Sequence, residues 1–384
     1  MSMHIPSCKH FTGYKPCYPG TQCLGECVSY DPIGTRILLI NLDAMGNVLA
    51  TTSILPAIKR KYPESRITWI TLKNAAPLLV NNPLIDRVIL WEPEAWLVLE
   101  TQAFDIVMNV DKSPRSGALA MRMNAAERLG FGLNDDGVIV PLNTEAEENY
   151  RLGLDDNLKF RINRKSVPQL QCEEFRLKYA RDEYILNLTD EEESFCREYR
   201  EEAGIGPDSL VVGFNTGCSE LYPNKKLTVE QHVVLIERLN EEAGLSLLLL
   251  GGPEDTVRNA EIMRRVGQGV VNTPTNEGVR RGVCYENVCD AVVTGDSFGM
   301  HLAVGLKKHV IAWFGLSCWN EIDLFDRGVK LYHEELVCSP CWKHECPYNL
   351  ECLQLVDLDR IAGEVLEYRD RRAASSYAPG AAGR

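Results

Sequence analysis

The stretch RILLINLDAMGNVLATTSILPAIKRKYP, from Arg36 to Pro63, decides the fold class of the N-terminal half. In the segment Arg36–Ile40, the four residues after the arginine are all apolar, which is typical of a strand buried on both faces of a parallel sheet. A turn containing Gly46 follows, and the rest has helical spacing despite Pro56. The stretch therefore predicts a strand, a tight turn and a helix, with one carboxylate, Asp43, at the turn.

The same alternation of apolar strands and helical segments continues along the chain. In the first half we predict further strands at 66–72, 86–91 and 104–110, and a helix at 117–130. A second series begins at Leu210, with strands predicted at 210–215, 245–252, 290–297 and 309–315. We therefore expect an α/β protein with two Rossmann-like, doubly wound domains in tandem.

Shifts in composition suggest the limits of these domains. We expect a cysteine-rich N-terminal segment at 1–33, a first domain at 34–165, a charged interdomain helical region at 166–208, and a second domain at 209–373 that contains a cysteine-rich segment at 338–352. The last helix is predicted to run from Leu358 to Ala373. The small-residue tail at 374–384 is predicted to be disordered.

Charge and hydropathy exclude several classes of protein. The net charge of −13 disfavours a nucleic-acid partner. No apolar run approaches the roughly 20 residues of a membrane helix, and the N-terminus MSMHIPSCKH lacks the apolar core of a secretory signal. We therefore expect a cytoplasmic protein, in which the 14 cysteines are free thiols or metal ligands before they are disulfides.

The candidate ligand-binding residues directly follow predicted strands. Tandem doubly wound domains usually bind a ligand in the cleft between them, at the carboxyl ends of the strands. The residues to examine are therefore Asp43, Lys112, Gly217, Gly252 and Asp296.

The segment VVTGDSFGMHLAVGL has the pattern of an anion site at a helix N-terminus. A strand ends at Gly295, Asp296 and Ser297 form the turn, and His301 lies one turn into the following helix. The free N–H groups and the positive dipole end of that helix would attract an anion. The alternative is that Asp296 or Ser297 only caps the helix.

Two further loops carry charged candidates. In FNTGCSELYPNKKLT, Lys225 could reach a diphosphate, or Lys225 and Lys226 could be two solvated surface charges. In LLLLGGPEDTVRNAE, Glu254 could accept hydrogen bonds from ribose hydroxyls, or it could only provide favourable charge at a helix start.

No G-x-G-x-x-G follows a strand and no G-x-x-x-x-G-K-[ST] is present, which disfavours dehydrogenases and P-loop enzymes. Four segments in order instead resemble the heptosyltransferase family, glycosyltransferase family 9: the opening stretch, NTGCSELYPNKKLT, LLLGGPED and TGDSFGMHLAVGLKKHVIAWFG. The resemblance runs from about Arg36 to Val365. It implies a GT-B fold and transfer of a sugar, typically a heptose from an ADP-activated donor, to the lipopolysaccharide inner core. Some relatives glycosylate proteins instead.

The resemblance also implies roles for individual residues. Lys225 would hold the donor diphosphate and Glu254 the ribose. The diphosphate-binding turn would be formed by Gly295, Asp296, Ser297 and His301. The first domain would bind the acceptor, whose anionic groups Lys112 and Arg115 could contact, although both could be ordinary surface charges.

The opening motif departs from the family pattern. The family usually has Gly-Asp where this chain has Gly46-Asn47, and that aspartate is the expected catalytic base. An asparagine cannot take up a proton at neutral pH, whereas inverting transfer needs a base beside the acceptor hydroxyl. Asp43 is the nearest carboxylate, and our hypothesis is that Asp43 is the base. The alternative is that it only fixes the turn.

Cysteines cluster near both ends of the chain. The N-terminal cluster contains Cys8, Cys17, Cys23 and Cys27, and the C-terminal cluster contains Cys338, Cys341, Cys346 and Cys352. Four thiols suit a structural zinc ion or an iron–sulfur cluster. The C-x-x-C spacing makes the C-terminal set the better candidate, and the alternative for both sets is reduced thiols in compact loops.

We therefore expect an inverting glycosyltransferase that needs no metal or other cofactor for catalysis. Its partners would be a nucleotide-sugar donor and a glycolipid acceptor at the inner membrane surface, where the protein could be peripherally bound. The alternatives are a protein O-heptosyltransferase and, because of Asn47, a non-catalytic sugar-nucleotide-binding protein. The sequence carries no signal for an oligomeric state.

Overall fold

The computed structural model describes residues 3–377, in two compact units. The first unit comprises the chain up to Lys159 together with Val167–Ile185, and the second comprises Phe160–Ser166 and the chain from Leu186 onward.

The first unit is built on a six-stranded sheet. Its strands are β1 (Arg36–Ile40), β2 (Arg66–Thr71), β3 (Arg87–Leu90), β4 (Ala103–Asn109), β5 (Asn124–Leu133) and β6 (Ile139–Pro141). Its helices are α1 (Met45–Thr51), α2 (Leu55–Lys61), α3 (Pro93–Glu100), α4 (Pro114–Arg122), α5 (Glu147–Leu152) and α6 (Val167–Glu174). The strand order is β3-β2-β1-β4-β5-β6, and all neighbours are parallel except β5 and β6.

The central strand of this sheet is buried on both faces, as its apolar run predicted. Ile37 and Leu39 pack on one face with side chains of α1 and α2, while Leu38 and Ile40 pack on the other face with side chains of α3 and α4. All four are fully buried. Burial of each such side chain stabilises the fold by roughly 1.5–3 kcal/mol.

The second unit has the same architecture. Its helices and strands are α7 (Asp190–Glu202), β7 (Leu210–Asn215), α8 (Val229–Asn240), β8 (Leu245–Leu250), α9 (Thr256–Val266), β9 (Val270–Asn272), α10 (Val279–Asn287), β10 (Ala291–Gly295), α11 (Phe298–Gly305), β11 (His309–Trp313), β12 (Gly328–Leu331), α12 (Glu351–Gln354) and α13 (Leu358–Tyr377). The six strands are parallel in the order β12-β11-β10-β7-β8-β9. Two mostly parallel sheets with connecting helices confirm the predicted α/β class.

The structure corrects two predicted helices in the first unit. The helix after β1 is interrupted by a 3-10 turn, and Pro56 lies at the second position of α2, where a missing N–H costs little. The helix predicted at 117–130 ends at Arg122, and Asn124–Leu133 is instead strand β5. Pairing of β5 with β4 and β6 on its two sides outweighs the helical pattern of its residues.

The last helix is longer than predicted. It continues through Tyr377, four residues beyond the expected end at Ala373. The remainder of the tail that was predicted to be disordered, 378–384, lies outside the described residues.

Candidate functional site

In the second unit, three neighbouring strands present their carboxyl ends side by side, because β10, β7 and β8 are adjacent in the sheet. The loop after β7 carries Lys225, the loop after β8 carries Glu254, and the loop after β10 carries Asp296. The predicted donor-binding residues are therefore gathered at one sheet edge. A capping box of Thr228 and Gln231 starts α8 immediately after the lysine loop.

Lys225 and Asp296 form a buried ion pair. The Nζ of Lys225 lies 2.7 Å from Oδ2 of Asp296, and the two side chains are only 12% and 11% exposed. Burial alone would raise the pKa of Asp296, but Lys225, His301 and the hydroxyl of Ser317 together hold it below its ordinary value. An ammonium carries three N–H donors, so the contact with Asp296 leaves Lys225 able to bind a further acceptor.

Gly295 allows the lysine loop to approach the sheet. A Cβ atom at this position would collide with the carbonyl oxygen of Lys225 and would lie 3.1 Å from the Trp313 ring. The glycine at the end of β10 therefore fixes the distance between the lysine backbone and the turn that carries Asp296.

Helix α11 begins without a side-chain cap. Ser297 is its N-cap residue, but among the described residues its hydroxyl makes no hydrogen bond to a helix N–H group. The hydroxyl instead accepts a 2.5 Å hydrogen bond from Nδ2 of Asn215, and Gly299 provides the space for that asparagine. Asp296 bonds to Lys225 rather than to the helix. The capping alternative is therefore wrong, and the first-turn N–H groups remain suited to an anion.

His301, one turn into α11, does not add a positive charge at neutral pH. Its pKa is lowered to about 4, mainly by burial; Lys225 contributes to the lowering, and Asp296 opposes it. In this position it would meet an anionic ligand through a hydrogen bond rather than through charge.

The acidic turn after β8 contains one exposed and one buried carboxylate. The predicted residue, Glu254, is exposed in a 3-10 turn. Asp255 is buried, accepts a 3.0 Å hydrogen bond from the N–H of Gly252, and fills the space that a side chain at Gly217 would occupy. Its Oδ1 atom has no hydrogen-bond partner among the described residues. Sequence reasoning missed Asp255, although the adjacent glycines of both loops were a signal of close packing.

In the first unit, Asp43 and Arg115 form an exposed ion pair. They follow the adjacent strands β1 and β4, and Nη2 of Arg115 lies 2.6 Å from Oδ2 of Asp43. The side chains are 43% and 42% exposed. The sequence placed both residues after strands but did not predict that they pair. Asn47, the third residue of α1, is exposed.

Asp111 is a buried carboxylate behind this pair that sequence reasoning also missed. It accepts hydrogen bonds from Nδ2 of Asn41, at 2.6 Å, and from the N–H of Leu42, at 2.5 Å. Burial raises its pKa to about 7, partly opposed by these two hydrogen bonds. Asp111 therefore fixes the end of β1 immediately before Asp43.

Lys112 is held within its own unit. Its Nζ donates to the carbonyl oxygen of Asn149 and, at 2.9 Å, to Oδ1 of the same residue, and it lies 4.8 Å from the ring centroid of Phe131. Nδ2 of Asn149 in turn donates to the buried Glu174, whose pKa burial raises to about 8. An acceptor anion would have to compete with these contacts for Lys112.

The 14 cysteines all lie within the described residues and form no disulfide there. The pKa of Cys352 is raised to about 11, mainly by burial and in smaller part by the thiols of Cys341, Cys338 and Cys346. In the N-terminal set, Cys8 is buried and Cys17 is exposed. Within the part of the chain that the structure describes, no three or more His, Cys, Asp or Glu side chains are arranged to hold a metal ion.

The described helices include none with the length and apolar character needed to cross a membrane.

Comparison with known sequences identifies the family. The model of glycosyltransferase family 9 (heptosyltransferase) matches residues 95–351. Lipooligosaccharide heptosyltransferase 2 of Haemophilus influenzae is 21% identical over 307 residues, covering 73% of this chain and 83% of that protein. Lipopolysaccharide core heptosyltransferase OpsX of the same organism is 27% identical over 103 residues, which span 25% of this chain and 30% of that protein.

Solved structures agree with the fold. A family 9 glycosyltransferase from Veillonella parvula superposes with a TM-score of 0.69 at 16% identity, over 89% of this chain and 99% of that one. ADP-heptose lps heptosyltransferase II of E. coli gives 0.64 at 17% identity, over 88% and 100%. The iron-containing dodecameric glycosyltransferase TibC of E. coli gives 0.52 at 12% identity, over 92% and 81%. The GT-B expectation is confirmed, and the chain belongs to glycosyltransferase family 9, the heptosyltransferase family.

Proposed function

We propose that this protein transfers a heptose, with inversion, from ADP-heptose to a lipopolysaccharide inner-core or related glycolipid acceptor. The observation that carries the proposal is the buried Lys225–Asp296 pair beside the uncapped N-terminus of α11. A lysine ammonium and a helix N-terminus are the groups that stabilise a leaving diphosphate. The donor class is supported by the E. coli relative whose name specifies ADP-heptose.

The donor would be bound by the second unit through groups already in place. Lys225 would contact the diphosphate while remaining paired with Asp296, and the N–H groups of α11 would bind the same anion. The acidic turn Glu254–Asp255 would meet the ribose hydroxyls. Because the lysine and aspartate are fixed before the donor binds, little reorganisation would be needed as negative charge develops on the leaving group.

The acceptor would be bound by the first unit, with Asp43 as the base. In the unliganded protein Nη2 of Arg115 donates to Oδ2 of Asp43, so this carboxylate oxygen is already engaged. A phosphorylated acceptor would compete for Arg115, because guanidinium binds phosphate in a bidentate manner. Acceptor binding would thus release Asp43 to take the proton of the attacking hydroxyl. Asn47 cannot do this, because a carboxamide is not a base at neutral pH.

The deciding experiment is ADP release from ADP-heptose in the presence of a heptose-deficient core glycolipid. We expect acceptor-dependent release by the wild type, reduced by about 10²- to 10⁴-fold in Asp43→Asn. Asp135→Asn, which changes an exposed acid of the same unit, should retain full activity. Equal rates for Asp43→Asn and the wild type would exclude Asp43 as the base. ADP binding without any release would favour the non-catalytic alternative to which Asn47 points.

We further propose that the C-terminal cysteines hold a structural metal ion. The four thiols of this short segment are a donor set for zinc or iron, and the structural relative TibC is iron-containing. Because no three of them are arranged around a metal in the described residues, metal binding would draw the thiols together. The metal would stabilise the 338–352 segment and take no part in the transfer. Elemental analysis of the purified protein should find about one zinc or iron per chain, lost in Cys341→Ser and retained in Cys23→Ser. Metal-free wild-type protein would overturn this assignment.

The proposed metal also affects which class of acceptor is expected. The iron-containing relative is a dodecamer, and a metal-bearing assembly is the context in which a protein acceptor, and so protein O-heptosylation, becomes the better alternative. The release assay with a protein acceptor in place of the glycolipid separates the two.

A further inference from the structure

The cysteine-rich segment is anchored to the second sheet beside the donor residues. The N–H groups of Cys341 and Trp342 both donate to the carbonyl oxygen of Leu316, each at 2.9 Å. The hydroxyl of Ser339 donates to the carbonyl oxygen of Gly315 at 2.6 Å. These acceptors belong to the loop that follows β11, so the segment is fixed to a strand next to β10.

The anchoring places the indole of Trp342 over Lys225. The Nζ of Lys225 lies 4.0 Å from the Trp342 ring centroid and 5.4 Å from that of Tyr222. The two rings meet edge to face, with centroids 5.3 Å apart. His344, two residues further along the segment, stacks on the other ring, with centroids of His344 and Tyr222 4.5 Å apart. The segment thus contributes an aromatic wall to the lysine site.

Trp342 has an unfavourable backbone conformation at its position over Lys225. Its φ is +50°, in the left-handed region that a bulky residue rarely occupies. Such conformations persist where surrounding contacts determine them, and they concentrate at functional sites. Here the contacts are the N–H bond to Leu316, the Nε1 bond to Sγ of Cys318 at 3.4 Å, and the lysine itself.

The ammonium of Lys225 is therefore held from two sides. Asp296 attracts it by charge, and the faces of Trp342 and Tyr222 attract it through their ring quadrupoles. Cation–π attraction is strongest when the cation is desolvated. The side chain of Lys225 is largely desolvated, since it is only 12% exposed. Without the indole, the ammonium could follow its flexible four-carbon stem away from the diphosphate position.

We infer that Trp342 is a positioning residue for Lys225, so that the cysteine-rich segment sets the affinity for the nucleoside diphosphate. The inference rests on the proposed donor role of Lys225. It gives the segment a function in the active site beyond stability: disordering 338–352 weakens donor binding even when the two sheets are intact. The tryptophan does not touch the reacting atoms and acts only through the lysine.

The test is a double-mutant cycle on ADP affinity, measured by calorimetry with ADP up to millimolar concentrations. We expect Trp342→Ala to weaken ADP binding about five- to tenfold, and Trp342→Phe, which keeps a ring face, to stay within about twofold of the wild type. In a Lys225→Met background, Trp342→Ala should change the affinity by less than about twofold, because the group through which it acts is gone. A merely structural role would weaken binding equally in both backgrounds.

The matched control is Trp319→Ala, which removes another tryptophan of the same unit, stacked on Tyr332 at 4.2 Å. It should leave the ADP affinity unchanged, and circular dichroism should show that every variant is folded. Unchanged ADP affinity in folded Trp342→Ala overturns the inference and leaves the proposed function standing. Wild-type protein that binds neither ADP nor another nucleoside diphosphate overturns both.

Discussion

Each unit carries an ion pair between a carboxylate and a cation that follow adjacent parallel strands, and the two pairs are buried to different degrees. Asp43 follows β1 and bonds at 2.6 Å to Arg115, the second residue of α4, which follows β4. Lys225 and Asp296 lie in the loops after β7 and β10 and bond at 2.7 Å. The first pair is about two-fifths exposed and the second about one-tenth. An exposed pair is weak and separates easily, whereas a buried pair fixes its partners. The first suits a base that must be released, and the second suits a preformed anion site.

The strongest test of this contrast is Lys225→Met, which leaves Asp296 buried without its cation. We expect a loss of about 4 kcal/mol in the free energy of unfolding at pH 7, measured by urea denaturation. Because Lys225 holds the pKa of Asp296 below its ordinary value, the pair contributes its full stability above the unfolded pKa of about 3.9. The difference in stability between wild type and Lys225→Met should therefore shrink as the pH falls below about 3.9 and through the folded pKa. Lys226→Met is the control and should change stability by less than about 0.5 kcal/mol. Equal losses of stability in Lys225→Met and Lys226→Met would show that the buried pair does not stabilise the second unit more than the adjacent Lys226 does.

Asp111 sharpens the comparison from the side of the first unit. Its pKa of about 7 lies above the unfolded value of about 3.9, so the folded state retains a proton that the unfolded state releases. Its contribution to stability is therefore complete below pH 4 and is lost as the pH rises to 7, by roughly 3 kcal/mol. The wild-type advantage over Asp111→Asn in urea unfolding should fall by that amount between pH 4 and 7.5. Parallel pH curves for the two proteins would contradict the burial of this charge.

Gly295→Ala tests how rigidly the second pair is placed. The added Cβ would collide with the carbonyl oxygen of Lys225, so the lysine loop must shift and ADP affinity should fall about tenfold, or about 1.4 kcal/mol. Gly282→Ala is the matched control, because no described atom lies within 4 Å of a Cβ there and the residue lies within α10 rather than in a loop proposed to bind the donor. Unchanged binding by Gly295→Ala would show that the lysine loop adjusts freely.

The smallest expected effect is that of Arg115→Met on stability. Removing one partner of an exposed pair should cost less than about 1 kcal/mol in urea unfolding. The KM for the acceptor should nevertheless rise several-fold, because the guanidinium is the proposed acceptor contact, while the KM for ADP-heptose should not change. A stability loss comparable to that of Lys225→Met would show that exposure does not distinguish the two pairs.

The sequence predicted most of the fold and marked the two residues that form the buried ion pair of the second unit. Apolar runs marked the buried strands, and motif order located Lys225 and Asp296. Strand β5 was missed because Asn124–Leu133 contains helix-forming residues whose strand conformation depends on partners far apart in sequence. Contacts between loops leave no pattern in the sequence either, so the residues whose roles depend on burial were not predicted.

Burial of individual carboxylates shows this limit most clearly. Asp111 and Glu254 look alike in sequence, since each follows a strand, yet the first is buried and the second exposed. Asp255 was passed over beside Glu254 for the same reason. The contact of Trp342 with Lys225 joins residues more than a hundred positions apart, and no local pattern encodes it.

The glycine at the end of β10 has an evolutionary consequence. Any residue with a side chain at position 295 requires the backbone at 225 to move, and a moved backbone carries with it the ammonium that we propose binds the diphosphate. The two positions, seventy residues apart, therefore cannot drift independently. We expect that natural sequences in which residue 295 is not glycine also carry an altered loop after β7, with a changed length or a different cation. Such paired changes would mark members of the family with a different donor.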